Sequence, residues 1–246
     1  YHTAAWGDHQ TSLTAVLNAM ESTSSEPQKF LEAVEHRNLG FSMRGTYGFK
    51  DRYFVEASFG YNGSERFAKK HKMGFFPAAG VAYVISSEPF MAGAANWLPY
   101  LKFRASYGKV GNDGIINTPR FVHLPEVLAT SVRSLQPGQQ DAKAWTVRNY
   151  ADENIKWEIA EQVNFGLEAK MFKGIMEFTL DAYQEIRHNI LSYRLVIPSH
   201  VGIEQNQLDN IGKVRSRGID FSGKIQHAFS PDLWIILNGT FTYNKA

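Results

Sequence analysis

The residues of this chain that could do acid–base chemistry are scattered acids and a few histidines. Glu177 and Asp181 fall on the same side of a predicted strand, and paired carboxylates of this kind serve general acid–base catalysis. On an extended strand their α-carbons lie roughly 13 Å apart at ~3.3 Å per residue, which separates the two carboxyl groups too far for joint action. We interpret both residues as charges on the polar face of a strand.

Metal binding and nucleophilic catalysis are equally weakly supported. His2 and His9 flank Asp8, but their spacing fits no usual zinc motif, and the chain has no cysteine to supply a thiolate ligand. The loop acids Asp113, Asp152 and Glu153 offer the oxygen ligands that calcium prefers, yet we interpret them as ordinary solvated loop acids. Serine, histidine and aspartate occur without a nucleophile elbow. The sequence therefore predicts no enzyme, no cofactor and no metal site.

Composition narrows the class of protein further. The formal net charge is +2 and the charges are interspersed, so there is no basic stripe to follow a phosphate backbone and no nucleic-acid partner is expected. Aromatic residues make up 13% of the chain, which is typical of proteins with aromatic girdles at membrane interfaces. No apolar run approaches the ~18 residues of a transmembrane helix. If the chain spans a membrane, it must do so with the strands of a closed barrel.

Strict two-residue alternation is the main structural signal. In residues 41–49, Phe41, Met43 and Tyr47 fall on one face while Ser42 and Arg44 fall on the other, as expected of a strand with one apolar and one polar side. The pattern returns in residues 53–62, 75–86, 101–107, 162–169, 176–182, 219–225 and 233–243. We expect about eight strands of the length that crosses a bilayer.

The connections between these segments alternate in length. Short turns are expected near Lys50, Lys173 and Pro231, and long polar loops at about 62–74, 111–158 and 187–210. Outer-membrane barrels have short periplasmic turns and long extracellular loops. The predicted fold class is therefore all-β: an antiparallel transmembrane β-barrel segment with short periplasmic turns and long extracellular loops.

Two stretches are expected to depart from the strand pattern. Residues 1–37 are expected to be rich in loops, with a short helix within 21–37, and residues 38–246 to form strands and loops. Residues 87–91 predict a helical turn in a periplasmic connection, with Ser87 as its cap and Pro89 in its first turn.

Five phrases of the sequence occur in the order of a known transporter family. They read YFVEASFGYNGSERF at 53–67, FFPAAGVAYVISSEPFM at 75–91, LKFRASYGKVGN at 101–112, NIKWEIAEQVNFGLE at 154–168 and NIGKVRSRGID at 210–220. Together they resemble the SusC/RagA type of TonB-dependent outer-membrane transporter. One departure is Tyr83, which stands where that family usually has Trp.

The resemblance implies a part of a barrel of about 22 strands, without the plug domain or the C-terminal strands. It also implies active import of oligosaccharides or peptides through the outer membrane of the cell. The partners would be a SusD-like surface lipoprotein, TonB acting through the plug, a glycan or peptide substrate, and outer-membrane lipid. Nothing in the residues chooses between the two substrate classes.

Two groups of residues are candidates for contacts in such a transporter. Charged residues on the polar faces are candidates for lining the lumen and contacting the plug: Arg44, Glu56, Lys102, Arg104, Glu168, Glu177, Asp181 and Lys224. Aromatic residues in or beside the longest loop are candidates for contacting substrate or a partner: Trp145, Tyr150 and Trp157. The alternative for the aromatic residues is a place in the interface girdle or in a loop core.

Two other functions remain open from the residues alone. Eight strands can close into a self-contained outer-membrane barrel of adhesin or small-channel type. A soluble carbohydrate-binding β-domain is the third possibility. The apolar outer face of Phe, Leu, Met and Tyr counts against a soluble domain, because such a face exposed to water promotes aggregation.

Overall fold

The computed structural model describes residues 1–23, 35–114, 121–132, 142–194, 207–230 and 232–246. Their dominant feature is one ten-stranded antiparallel sheet, with a separate two-stranded hairpin beside it. The sheet has the order β1-β2-β3-β4-β5-β6-β9-β10-β11-β12, and β7 and β8 form the hairpin. The strands are β1 His2–Trp6, β2 His9–Ser22, β3 His36–Phe49, β4 Tyr53–Gly63, β5 Met73–Val84, β6 Tyr100–Asn112, β7 Glu126–Val132, β8 Ala142–Asn149, β9 Glu158–Met171, β10 Met176–Arg194, β11 Gln207–Ser230 and β12 Leu233–Lys245. No helix in the described ranges is both long and apolar enough to cross a membrane.

All of the predicted strands are present, so the predicted all-β antiparallel fold is confirmed. The expectation of a loop-rich start over residues 1–37 is wrong for the described part, because β1 and β2 form a hairpin there. Gly7, with φ +58°, makes the turn between them. The alternation in β2 is hard to recognise because Val16 and Ala15 occupy opposite faces with little contrast in polarity. The short helix expected within 21–37 lies largely outside the described residues.

Strand pairing sorts the side chains into two faces. Phe41 on β3 lies opposite Leu17 on β2 and Tyr61 on β4. These three residues form a row of apolar side chains that runs across neighbouring strands. A second such row crosses five strands and consists of Phe103, Leu167, Leu180, Phe221 and Phe241. These large side chains are exposed rather than packed within the chain. We call this apolar side the outer face and the opposite, polar side the lumen face, as in membrane barrels.

Two of the predicted short turns lie at one end of the sheet. Lys50 and Asp51 both have positive φ, at +53° and +51°, which is the geometry of the type I′ hairpin turn. Phe172–Gly174 connects β9 and β10 as a tight turn in which all three residues have positive φ, at +53°, +59° and +89°. Pro231, at the third predicted turn, lies outside the described residues.

The connection after β5 at this end is longer. It contains the 3-10 helix Pro89–Ala94, so the predicted helical turn is present. Glu88 occupies the cap position and Pro89 the first turn, and the cap makes no side-chain hydrogen bond. The expectation that Ser87 caps this turn is therefore wrong, because the turn begins one residue later than the sequence indicates.

Long connections lie at the opposite end. Residues 64–72 join β4 to β5, and the segment between β6 and β9 contains the β7–β8 hairpin. The strands β10 and β11 extend far beyond the ~9–11 residues that cross a bilayer, with 19 and 24 residues. Parts of the predicted loops, at 115–120, 133–141 and 195–206, lie outside the described residues.

Candidate functional site: the lumen face and the extracellular loops

The register places the predicted lumen residues on one face of the sheet. Lys102 lies opposite Glu168, and Glu177 lies opposite Lys224. Asp181 follows Glu177 on the same side of β10, and Arg104 follows Lys102 on the same side of β6. On the far side of the sheet, Arg44 and Glu56 share this face through the β3–β4 pairing. The structure thus brings all of these candidates to the lumen face, where all except Lys224 belong to one of three separate groups of ion pairs among the described residues.

Arg104 is the centre of the largest charge network on this face. Its Nη2 donates to Asp181 Oδ2 at 2.7 Å, and its Nε lies 3.2 Å from Glu168 Oε1. Lys102 Nζ lies 3.8 Å from the other oxygen of Glu168. Only 18% of the Asp181 side-chain surface is exposed to solvent. The Arg104–Asp181 pair is therefore better shielded from water than a surface ion pair.

The other predicted lumen residues Arg44, Glu56 and Glu177 form smaller ion pairs. Arg44 Nη2 donates to Glu56 Oε2 at 2.6 Å, but both side chains are largely exposed. Glu177 Oε1 lies 3.5 Å from Lys170 Nζ. Glu177 and Asp181 therefore have different cationic partners, which agrees with their interpretation as lumen charges rather than as an acid–base pair.

Two residues that the sequence did not single out, Gly166 and Asp220, lie directly beside the Arg104 network. Gly166 on β9 lies between Arg104 on β6 and Asp181 on β10, and a Cβ at this position would come within 2.7 Å of Arg104 Cγ. Asp220 lies directly opposite Asp181. The Oδ1 atoms of both aspartates are buried without a hydrogen-bond partner in the described structure. Only the strand register reveals this juxtaposition.

The lumen face is concave beside this network. A cavity of about 990 Å³ follows the face from β1 to β9. Its lining includes small, polar and charged residues: Thr46, Ser58, Gly80, Ser106, Glu56, Lys102 and Arg104. Such a lining offers hydrogen-bond partners and charges to polar groups that enter the lumen.

Trp157 is buried in a hydrophobic core at the loop end of the sheet. Its ring lies 5.3 Å from Phe67 and 5.2 Å from Phe76, centroid to centroid. Val122 and Ile155 belong to the same core, so it joins the loop after β4 to the long connection between β6 and β9. With 8% exposure, Trp157 offers little surface to a ligand and fits the alternative interpretation, a place in a loop core. Its Nε1 has no hydrogen-bond partner among the described residues.

The other two aromatic candidates are less buried than Trp157. Trp145 lies on β8 of the loop hairpin with 73% of its surface exposed, so its ring is free to stack on a ligand or to pack against a partner. Tyr150 follows the end of the same strand and is half-buried. Val127, on the neighbouring strand β7 of the hairpin, is also exposed. The hairpin therefore presents an apolar patch at the loop end.

At the turn end, Glu88 is held by residues at the start of β4. Its Oε1 accepts a hydrogen bond from the Tyr53 hydroxyl at 2.5 Å, and its Oε2 lies 3.2 Å from Arg52 Nη1. The hydrogen bond from Tyr53 and, after it, the positive charge of Arg52 lower the pKa of Glu88 against the opposing effect of burial. This contact fixes the 85–99 connection against the start of β4.

The sequence of this chain is similar to those of known TonB-dependent receptors. The chain is 27% identical over 91% of its length to the TonB-dependent receptor P3 of Formosa agariphila, of which it covers 21%. It is 25% identical over 86% of its length to the TonB-dependent receptor SusC of Bacteroides thetaiotaomicron, again covering 21%. The chain thus spans about a fifth of the length of these curated relatives.

Solved structures give the same fold. The RagAB peptide transporter matches 99% of this chain with a TM-score of 0.79 at 21% identity, over 28% of its own chain. The siderophore receptor PirA from Pseudomonas aeruginosa matches 96% with a TM-score of 0.55 at 13% identity, over 39% of its chain. The family model described as "TonB dependent receptor-like, beta-barrel" matches residues 3–246. This chain belongs to the TonB-dependent receptor β-barrel family, and its resemblance to the SusC and RagA members is confirmed.

Proposed function

We propose that this chain supplies part of the barrel wall and extracellular loops of an outer-membrane transporter that imports oligosaccharides or peptides by TonB-driven active transport. The observation that carries the proposal is the division of one continuous sheet into an apolar outer face and a charged lumen face. A wall of this kind separates lipid from a polar passage. Family membership supports outer-membrane nutrient transport as the general activity.

The lumen residues have a role in this proposal as a fixed, charged lining. The network of Arg104, Asp181 and Glu168 holds its charges in place through mutual ion pairs, so that it presents a fixed pattern to whatever fills the lumen. In the complete protein that neighbour would be the plug domain, on which TonB acts. Arg44, Glu56, Glu177 and Lys224 extend the same lining along the wall.

The partner at the loop end would be a SusD-like surface lipoprotein. Two observations support this. The exposed Trp145 on the β7–β8 hairpin provides an aromatic anchor of the kind enriched in interface hot spots. The loop core around Trp157 stabilises neighbouring loops, and rigid loops lose less entropy on binding. Glycan and peptide substrates are both compatible with stacking on Trp145, since both carry apolar surfaces.

The self-contained eight-stranded barrel receives less support. The sheet contains ten strands, and β1 and β12 lie at its two edges. A closed barrel needs its edge strands paired, because backbone groups without partners in lipid cost several kcal/mol each. An exposed outer face of large apolar side chains likewise opposes a soluble carbohydrate-binding domain.

The test is uptake by the full-length transporter that contains this segment, in its native host. Cells with and without the gene receive labelled oligosaccharides and labelled peptides of matched size, and accumulation is measured with TonB active or inactivated. Uptake of one class that depends on both the gene and TonB supports the proposal and identifies the substrate. Equal accumulation in both strains for both classes would refute it. Affinity purification of the tagged transporter tests separately for the surface lipoprotein.

A further inference from the structure

Basic residues on the outer face form a patch at the loop end of the sheet. Lys109 on β6 and Arg215 on β11 fall in one transverse row, which runs through Glu161 and Ile186. The next row toward the turns contains Arg217, opposite Gln184 on one side and Lys245 on the other. Lys213 lies two residues before Arg215 on β11 and therefore on the same face. We call Lys109, Lys213, Arg215, Arg217 and Lys245 the outer basic patch.

The patch begins where the apolar band of the outer face ends. On β12 the outward side chains from Leu233 to Tyr243 are apolar or glycine, and Lys245 follows. Ten residues at ~3.4 Å each, tilted by about 40°, span roughly 26 Å, which is close to the ~25 Å height of the lipid-facing band of a membrane barrel. The patch therefore lies at the level of the lipid headgroups of the extracellular leaflet, where charges carry little of the midplane penalty.

The cations of the patch are poorly neutralised by the protein itself. Lys109 Nζ pairs with Glu161 Oε1 at 2.8 Å, and Glu161 also interacts electrostatically with His188 and Lys213. Arg215 donates to the neutral side-chain oxygen of Gln184. Among the described residues, Lys213, Arg217 and Lys245 have no ion pair. Within that part of the chain, Glu161 is the only carboxylate that forms an ion pair with a residue of the patch, and it does so with Lys109.

The patch is local rather than a general property of the outer face. The outward positions of β4 and β5, which include Val55, Phe59, Val81 and Tyr83, carry no charge. At the loop end of those strands the outward side chains are aromatic, as at Tyr61 and Phe75. A lipid ligand that is attracted by positive charge would therefore bind beside β6 and β9–β12 and not around the whole wall.

We infer that the outer basic patch binds the phosphate groups of a phosphorylated glycolipid in the extracellular leaflet, of the lipid A class. Arg presents a planar fork of donors that matches phosphate geometry, and Lys adds compact charge. The acyl chains of the same lipid would lie against the apolar rows that contain Ile219 and Phe221. The inference rests on the outer-membrane location in the proposed function, but not on the transported substrate.

The experiment compares lipid binding by variants of the full-length transporter. Purified protein in a non-ionic detergent, stripped of endogenous lipid, is titrated with diphosphorylated lipid A and with its dephosphorylated form, and bound lipid is counted by native mass spectrometry. The test variant is K213Q/R215Q/R217Q. The control variant K69Q/K70Q/K72Q removes the same charge from the loop between β4 and β5. Heat-modifiable migration on gels shows that each variant is folded.

We expect the test variant to bind diphosphorylated lipid A on the order of tenfold more weakly, because several charge-assisted contacts are lost. The control should bind like the unaltered protein, and dephosphorylated lipid should bind all three proteins weakly and equally. Equal binding of phosphorylated lipid by the test variant and the unaltered protein would overturn the inference. A change in oligomeric state without a change in lipid binding would overturn it too, since the patch would then contact a second barrel.

Uptake measured on the same variants separates this inference from the proposed function. Normal uptake with weakened lipid binding supports both. Lipid binding in the expected pattern by a transporter that imports neither glycans nor peptides would leave the lipid site standing and refute the proposed function. Unchanged lipid binding with normal uptake would refute the lipid site alone.

Discussion

Arg104 on β6 reaches over Gly166 on β9 to bond Asp181 on β10, with 2.7 Å between Arg104 Nη2 and Asp181 Oδ2. A side chain at the intervening position would block this contact, since even a Cβ would come within 2.7 Å of Arg104 Cγ. The glycine therefore permits an ion pair across three strands. This ion pair links β6 to β10 on the lumen face, in addition to the backbone hydrogen bonds between neighbouring strands.

Replacing Gly166 with alanine should break this tie. We expect G166A to lower the free energy of unfolding of the full barrel by about 1 kcal/mol or more, as is usual when a substitution forces a well-placed side chain to move. The measurement is the urea midpoint of heat-modifiable migration in detergent. The matched control is G80A, because Gly80 also lies on the lumen face, on a strand paired on both sides, and a Cβ there would make only ordinary contacts at 3.6 Å. Equal midpoints for the two variants would contradict the role of Gly166.

Removing the Arg104 charge should cost more than removing the Asp181 charge. R104Q leaves Asp181 and Glu168 without their shared cation, whereas D181N relieves the repulsion between Asp181 and Asp220, which lie opposite each other. A double-mutant cycle with R104Q and D181N should give a coupling energy of about 1 kcal/mol. The cycle is measured by urea unfolding at low and high salt. A coupling near zero at both salt concentrations would show that the contact contributes nothing to stability.

The Glu88 contact predicts a pH dependence of stability. Because the pKa of Glu88 is lowered in the folded protein, its contribution is complete above the ordinary glutamate pKa of about 4.3. It is lost as the pH falls from there through the lowered folded value. The variant Y53F removes the main cause of the lowered pKa, so its loss of stability on acidification should be smaller than that of the unaltered protein.

Unfolding midpoints of the full barrel between about pH 3 and 7 test this expectation. Y61F is the control, since Tyr61 also lies on the outer face of β4 and forms no hydrogen bond with an acidic side chain in the part of the chain that the structure describes. Parallel pH profiles for Y53F and the unaltered protein would rule out a contribution from the Tyr53–Glu88 bond.

Two tryptophans at the loop end should behave in opposite ways. W157A removes a buried ring from the loop core and should destabilise it by about 3 kcal/mol or more, so protease should cut the loops faster while the membrane-embedded strands stay protected. W145A removes an exposed ring and should leave loop protection unchanged while weakening binding of the surface lipoprotein or substrate. Limited proteolysis and affinity purification measure the two effects. Faster cleavage of W145A than of W157A would reverse our assignment.

The 246-residue chain alone should not form a stable monomeric barrel. Its edge strands β1 and β12 would leave backbone N–H and C=O groups without partners in lipid. We therefore expect no protease-resistant, heat-modifiable monomer when the chain is refolded into liposomes, in contrast to the full-length transporter refolded in parallel. A resistant monomer would support the self-contained barrel instead.

The sequence alone determined eight of the strands and their faces. Period-two alternation in segments such as 41–49 and 101–107 specifies which residues face lipid, because a strand has only two sides and the membrane accepts only one kind of residue on the outer one. The same rule assigns Arg104, Glu168 and Asp181 to the lumen face. It did not detect β1 and β2, whose small and mixed residues give little contrast between the faces.

The tertiary structure decided which residues meet. Alternation fixes a side chain's face but not its row, and rows depend on the register between strands that are far apart in the chain. For this reason the passage of Arg104 over Gly166, the pairing of Asp181 with Asp220 and the outer row from Lys109 to Arg215 follow only from the register. The burial of Trp157 likewise depends on loops folding over one another, and no local sequence pattern specifies that.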